Sequence, residues 1–241
     1  MALYRDEAVV LRTYKLGEAD RIVVLYSRGR GKIRAVAKGV RRTRSKFGSR
    51  LEPASIIQVQ CYEGRNLDIV TQAERVRPLA GLRADLGRIS RAAILLEAID
   101  HSTAEGESEP ARYKLLVGAL TELDRSGNRL VVPAFVAKLL ALDGVQPRVD
   151  SCVACERRDG LVSLSLHEGG VFCASHRRGL PIGPEALDAL RLVLDGRVRQ
   201  VLDTTTEETA QELEHLAARM IEQHIERRLQ ASAVLYEQLD S

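Results

Sequence analysis

The amino-acid sequence predicts an α+β protein: an N-terminal five-stranded barrel of the OB-fold type, followed by an all-helical C-terminal domain with a small ribbon insertion. Two observations predict this order. Apolar residues follow the period of two of β-strands across residues 7–75, and a helical period from about residue 86. A Cys–Cys pair and a Cys–His pair at about residues 150–180 interrupt the helical part. We place the domain boundary at residue 80, giving domains of residues 1–80 and 81–241.

The barrel is predicted from short segments rich in Val, Ile, Leu and Tyr, at residues 8–14, 21–26, 32–38, 56–62 and 67–72. The alternation of apolar and polar residues predicts which side chains of each strand face the core and which face outward. In the third segment the basic residues point to one face, and Ile33, Ala35 and Ala37 point to the other. Cys61 falls on the inner face of the fourth segment, which predicts a buried small apolar residue. Antiparallel strands in so short a stretch fit a small closed barrel.

Helices are predicted where the period changes, at residues 86–101, 111–123, 135–142 and 184–194. The last helix begins near residues 204–206, where Thr204-x-x-Glu207 and Thr205-x-x-Glu208 are alternative capping boxes. Its apolar stripe is more typical of a packed core than of a groove for a partner.

Charge is distributed unevenly along the chain. Residues 1–80 hold 17 basic and 8 acidic residues, whereas the rest of the chain is net acidic. No acidic residue occurs between Asp20 and Glu52. A solvated surface normally mixes both signs, so this interval indicates a polyanionic partner, and strand-like periodicity favours nucleic acid over a membrane. We expect ten residues to line one nucleic-acid path: Arg28, Arg30, Lys32, Arg34, Lys38, Arg41, Arg42, Arg44, Lys46 and Arg50.

Two residue pairs in the second half have metal-ligand spacing, Cys152-Val-Ala-Cys155 and Cys173-Ala-Ser-His176. Each pair lets two side chains converge on one ion from a tight knuckle, and two knuckles complete a tetrahedron. Between them, an alternating strand pattern and the Gly169-Gly170 turn predict a β-ribbon. This is the layout of a zinc ribbon, with a structural Zn²⁺ held by Cys152, Cys155, Cys173 and His176.

Other interpretations of these cysteines have less support in the sequence. A disulfide is disfavoured in a reducing cytosol, and a thioredoxin-like dithiol lacks its βαβ surroundings. A catalytic zinc needs an open coordination position, which four protein ligands do not leave. A zinc-dependent nucleic-acid hydrolase would also need a paired carboxylate site, which is not apparent. We therefore predict no catalytic residues and no enzymatic activity.

The first residues and the hydropathy of the sequence predict where in the cell the protein is found. The first seven residues carry three charges, which does not resemble a secretory signal. No stretch approaches the roughly 18 apolar residues of a membrane span. We expect a cytoplasmic, nucleoid-associated protein without a membrane partner.

Three runs in the basic half resemble the N-terminal signature of the RecO recombination-mediator family: LGEADRIVVLY at residues 16–26, GKIRAVAKGVRR at 31–42 and SKFGSRLEP at 45–53. The cysteine pairs with Gly-Gly-Val-Phe-Cys resemble the zinc module of the same family. One position departs from the family pattern, because the last ligand is usually Cys there and is His176 here.

The resemblance implies a bacterial DNA repair protein without catalytic turnover, which binds single- and double-stranded DNA and anneals complementary strands. It also implies that the protein acts together with RecR, and in some lineages with RecF. Such proteins contact the C-terminal tail of single-strand-binding protein, displace that protein from DNA and so help to load RecA. An OB-fold, zinc-ribbon RNA-binding or transcription accessory protein is the alternative. Charge and fold class would be the same for it, and the N-terminal signature favours the RecO-like function.

Overall fold

Strands dominate the first part of the computed structural model, which describes residues 2–231. They close into a barrel in the order β1-β2-β3-β5-β4. Neighbouring strands are antiparallel except β3 and β5, which run parallel. The strands are β1 (Leu3–Leu16), β2 (Asp20–Ser27), β3 (Gly31–Ala37), β4 (Ile56–Tyr62) and β5 (Asp68–Arg77). The predicted five-stranded OB-type barrel is confirmed.

Strand alternation separates the core of the barrel from its outer face. Ile33, Ala35 and Ala37 of β3 are buried, as predicted, and Cys61 of β4 is fully buried among them. Phe47, from the connection between β3 and β4, joins the same core. The basic residues of β3 are therefore left on the outer surface.

The first strand is longer than predicted because it pairs with two partners in succession. Residues 3–9 of β1 pair with β4, and residues 8–16 pair with β2. The register with β2 shifts between Val10 and Arg12, just after Val9, the last residue of β1 that pairs with β4. Sequence periodicity identified only residues 8–14 of this strand, of which residues 8–11 are buried.

Three helices follow the barrel: α1 (Ala80–Arg83), α2 (Leu86–Ser102) and α3 (Pro110–Ser126). Asp85 caps α2, because its carboxylate accepts a hydrogen bond of 2.8 Å from the backbone N–H of Arg88. The four-residue helix α1 was not predicted, since a single turn is too short to show a helical period.

After α3, the described residues are helical with a ribbon insertion, as predicted. The helices are α4 (Val131–Leu142), α5 (Pro184–Leu194), α6 (Val198–Thr204) and α7 (Glu207–His224). Between α4 and α5 lies a three-stranded sheet of β6 (Leu161–Ser165), β7 (Gly170–Cys173) and β8 (Leu180–Pro181), in the order β7-β6-β8. Helices α4, α5 and α7 pack against one another through buried faces.

The start of α7 corrects the predicted capping boxes. Thr206 is the N-cap, and its hydroxyl accepts a hydrogen bond from the backbone N–H of Thr209. Thr204 and Thr205 belong instead to the end of α6, a short helix that was not predicted. The predicted apolar stripe of α7 is core, because Leu213, Leu216 and Ile221 are buried.

The chain forms two compact units, Met1–Arg125 and Ser126–Ser241. The first contains the barrel and the helices that follow it, and the second contains the ribbon and the remaining helices. A domain boundary at residue 80 stays a prediction. Across residues 2–231, no helix has both the length and the apolar character that crossing a bilayer requires.

Candidate nucleic-acid interface and metal centre

The ten predicted contact residues fall into two groups on the barrel unit. Four lie on the hairpin of β2 and β3, which we call the hairpin group: Arg28, Arg30, Lys32 and Arg34. Six follow β3 on the connection to β4, residues 38–55, which we call the loop cluster: Lys38, Arg41, Arg42, Arg44, Lys46 and Arg50. The two groups differ in their surroundings.

The connection that carries the loop cluster is tied to the barrel along its length. Phe47 is 1% exposed and enters the barrel core. The backbone N–H of Arg41 donates a hydrogen bond of 3.0 Å to the carbonyl of Ala19, in the turn between β1 and β2. The ammonium group of Lys46 donates to the carbonyl of Thr71 on β5, at 2.9 Å. The loop therefore has a defined conformation despite its lack of regular strand or helix.

The loop cluster is a one-signed surface. All six side chains are exposed, and within the described part of the chain none of them forms an ion pair with a carboxylate. Cations that are close together and not paired with carboxylates produce a positive potential, which attracts polyanions. This group has the electrostatic character that the sequence predicted.

The hairpin group is largely neutralised by carboxylates. Arg30 lies 3.8 Å from Glu63, measured from Nη1 to Oε1. Arg34 lies 3.6 Å from Glu105, between the same atom types. Both pairs are solvent-exposed, so each contributes at most about 1 kcal/mol to stability. A single path through all ten residues stays a prediction. Arg28, the fourth residue of the hairpin group, is exposed and forms no ion pair with a carboxylate among residues 2–231, as in the loop cluster.

Lys32 is largely buried between the barrel and α2. Its side chain is 14% exposed, and its ammonium donates a hydrogen bond of 2.6 Å to the backbone carbonyl of Asp100 on α2. The Asp100 carboxylate is buried, 3.5 Å from Lys32 and 2.6 Å from Nε of Arg12. Lys32 thus holds α2 against the barrel, a role that does not favour its predicted contact with nucleic acid.

Aromatic side chains on the barrel differ in their access to solvent. Tyr26 and Phe47 are buried in the core. Tyr4 donates a hydrogen bond to Asp68 and lies beneath the Arg30 guanidinium; burial, with that hydrogen bond, raises its pKa. Tyr14 and Tyr62 are each 41% exposed, and the Arg12 guanidinium lies over one face of the Tyr14 ring, 4.9 Å from its centroid. Exposed aromatic faces of this kind are what base stacking uses.

Arg75 of β5 also borders the loop cluster, although the sequence analysis did not single it out. Its guanidinium donates a hydrogen bond of 3.0 Å to the hydroxyl of Ser49. Together with Phe47 and Arg50 it lines a small surface depression of about 360 Å³. Arg75 lies outside the acid-free interval of the sequence, and only the barrel topology places it beside the loop.

The four predicted metal ligands come together in the second unit. The ligand atoms of Cys152, Cys155, Cys173 and His176 all lie within 4.8 Å of one another. The Sγ atoms of Cys155 and Cys173 are 3.8 Å apart, and Sγ of Cys173 is 3.4 Å from Nδ1 of His176. These residues could hold a metal ion.

Two local structures position these side chains. In the first knuckle, the backbone N–H of Glu156 donates a hydrogen bond of 2.9 Å to the carbonyl of Cys152, and Glu156 has a positive φ of 60°. The second knuckle is a 3₁₀ helix, Ala174–His176, directly after β7. Burial opposes ionisation of the Cys152 thiol, but backbone N–H donors, including that of Cys173, outweigh it and lower its pKa to about 6.

The distances fit a tetrahedral site. Zn–S bonds of about 2.3 Å and Zn–N bonds of about 2.0–2.1 Å give tetrahedral edges of roughly 3.8 Å between two sulfurs and roughly 3.5 Å between sulfur and nitrogen. The two separations given above are close to these values. Three thiolates and one imidazole are also the donor set that zinc prefers.

Comparison with known proteins covers nearly the whole chain. The family model described as recombination protein O N terminal matches residues 1–79, and that described as recombination protein O C terminal matches residues 83–233. The chain is 39% identical to the DNA repair protein RecO of Cutibacterium acnes, over 98% of this chain and 99% of that protein. It is 47% identical to the DNA repair protein RecO of Bifidobacterium longum, over 79% of this chain and 83% of that protein.

Proposed function

The chain belongs to the RecO family of DNA repair proteins, and from that membership we propose that its barrel binds single- and double-stranded DNA through phosphate contacts. The loop cluster is the observation that carries the proposal. Each phosphate neutralised by Lys or Arg releases condensed counterions, which gives affinity without base preference. A protein that acts at any damaged site needs this generality.

The same surface supports strand annealing. Two strands held in one positive field repel each other less, so complementary bases can meet and pair. The exposed rings of Tyr14 and Tyr62 can add stacking, which is worth about 1–3 kcal/mol per base. We propose that annealing proceeds in this way, without catalytic turnover.

The partners follow from the family rather than from particular residues of this chain. We propose that it acts with RecR, and in some lineages RecF, to help RecA onto DNA coated by single-strand-binding protein, whose C-terminal tail it contacts. A strand-annealing assay with two complementary oligonucleotides tests this function. Annealing that continues when the strands are coated with single-strand-binding protein supports it; binding of RNA in preference to DNA, with no annealing, contradicts it.

A charge-reversal variant tests the DNA-binding surface. The triple variant Lys38→Glu, Arg42→Glu and Arg44→Glu changes three loop-cluster residues that donate none of the hydrogen bonds described above. We expect weaker binding of single-stranded DNA. The salt slope, which is the slope of the logarithm of the binding constant against the logarithm of the salt concentration, should be smaller in magnitude by about 2, since each phosphate contact contributes roughly 0.7. The affinity for a fluorescent oligonucleotide is measured by anisotropy over a range of salt.

A matched control separates local contacts from net charge. Lys114, Arg199 and Arg228 are exposed and lie outside the barrel strands, so their replacement by Glu changes the net charge equally. We expect this variant to keep the salt slope of the parent. Equal losses in the two triple variants would contradict a DNA site on the loop cluster.

For the metal centre, we infer that the ion is a structural zinc held by Cys152, Cys155, Cys173 and His176. When bound, zinc would link the two knuckles, and metal-linked folding of such knuckles supplies on the order of 10 kcal/mol. Metal analysis of protein purified without chelators should find one zinc per chain. Cys155→Ala should lose it, whereas His176→Cys, which keeps a four-ligand set, should retain it. Protein that contains no zinc would contradict the assignment.

A further inference from the structure

An acidic segment lies against the hairpin group. Residues 103–109, between α2 and α3, read Thr-Ala-Glu-Gly-Glu-Ser-Glu and contain Glu105, Glu107 and Glu109. We call residues 103–109 the acidic segment.

The acidic segment is fixed to the hairpin through its backbone. The N–H of Gly106 donates a hydrogen bond of 3.0 Å to the carbonyl of Lys32, and the hydroxyl of Ser108 donates to the carbonyl of Arg28 at 3.1 Å. Gly31 packs directly against it: a Cβ on Gly31 would lie 1.9 Å from the carbonyl oxygen of Glu107. The segment therefore stays beside β3, and the Glu105 carboxylate lies near Arg34 of the hairpin group, whereas Glu109 pairs with Arg112 on α3.

Its one ion pair with the hairpin group is exposed and exchangeable. The side chains of Arg34 and Glu105 are 43% and 55% exposed, and their closest atoms are 3.6 Å apart. Such a pair contributes little to folding stability, because water and salt screen it. It does, however, place a carboxylate where a phosphate would otherwise contact Arg34. Arg34 is on the outer face of β3, and this strand leads directly into the loop cluster.

We propose that the acidic segment is an intramolecular competitor for DNA, in which Glu105 occupies Arg34 until a phosphate displaces it. This inference rests on the DNA-binding function proposed for the barrel. DNA bound at the loop cluster gains the additional contact with Arg34 only by exchanging carboxylate for phosphate. The segment thereby limits the affinity of the barrel and makes the hairpin contribution reversible.

The test uses the full chain and a fluorescein-labelled single-stranded oligonucleotide. Glu105→Gln removes the competing charge at an exposed position and keeps the side-chain shape. We expect tighter binding by about 2- to 5-fold, the range that one exposed ion pair allows. We also expect a log–log salt slope that is larger by about 0.7, corresponding to one additional phosphate contact. A gain in affinity cannot result from misfolding.

Two further variants identify the cause of the gain. In an Arg34→Gln background, Glu105→Gln should have no effect, since the cation that it frees is absent. Glu122→Gln is the control, because it changes the net charge equally and removes the Glu122–Arg125 ion pair on α3 instead. Equal effects of Glu105→Gln and Glu122→Gln, or a gain that persists without Arg34, would overturn the inference. If the loop-cluster triple variant binds DNA like the parent, the proposed function itself fails; if only Glu105→Gln has no effect, the competitor alone fails.

Discussion

Asp100 is the position where a single substitution should destabilise the barrel unit most directly. Its carboxylate is 4% exposed and lies 2.6 Å from Nε of Arg12 and 3.5 Å from Nζ of Lys32. Asp100→Ala leaves Lys32, itself 14% exposed, without its counter-charge. Breaking a buried pair costs about 3–5 kcal/mol. Arg12 is 46% exposed, and Lys32 keeps its hydrogen bond to a backbone carbonyl, so we expect about 2–4 kcal/mol.

Urea unfolding, followed by far-UV circular dichroism, measures this loss. With an m-value of about 1–3 kcal/mol/M, the midpoint should fall by roughly 1–2 M. The double variant Asp100→Ala, Lys32→Met removes both charges and should recover part of the loss, because no unpaired ammonium remains near α2. A midpoint within about 0.2 M of the parent would refute the reasoning. It would mean that water already solvates this pair.

Three further pairs of substitutions test local features of the fold. Gly31→Ala should destabilise by more than Gly106→Ala: both have positive φ, which costs about 1–2 kcal/mol for an L-residue, but only Gly31 also meets a backbone carbonyl. Thermal melts of the two variants compare them. Phe47→Ala should cost about 3–5 kcal/mol in urea unfolding and also weaken DNA binding in the anisotropy assay, whereas Phe47→Leu should keep most of both. Thr206→Ala should cost about 1 kcal/mol in thermal unfolding, and Thr205→Ala should cost less, because Thr206 is the N-cap of α7.

Periodicity predicted the strands of the barrel well, because the alternation of apolar and polar residues along a strand is a local signal. Alternation in β3 separates Ile33 and Ala35 from Arg34, and the structure keeps this separation. The four metal ligands were also predictable, because their spacing in the sequence is typical of a zinc site. Each knuckle fixes two ligands within four residues, and a short hairpin joins the knuckles.

Long-range charge pairing was not accessible from the sequence. Lys32 and Asp100 are 68 residues apart, and alternation shows which face a residue occupies but not which element covers that face. For this reason the sequence predicts one path for all ten cations, although carboxylates from α2 and the following segment neutralise part of the hairpin. Phe47 shows a similar limit: a connection without regular periodicity gives no signal for a buried anchor.

The anchoring of the loop cluster has a thermodynamic consequence. Because Phe47 and the backbone bond from Arg41 already fix this connection, it loses little conformational entropy when a ligand arrives. Association should therefore involve little coupled folding, and calorimetry of oligonucleotide binding should give a small heat-capacity change. If released counterions alone drive binding, the binding constant should fall steeply as the salt concentration rises and should change little with temperature.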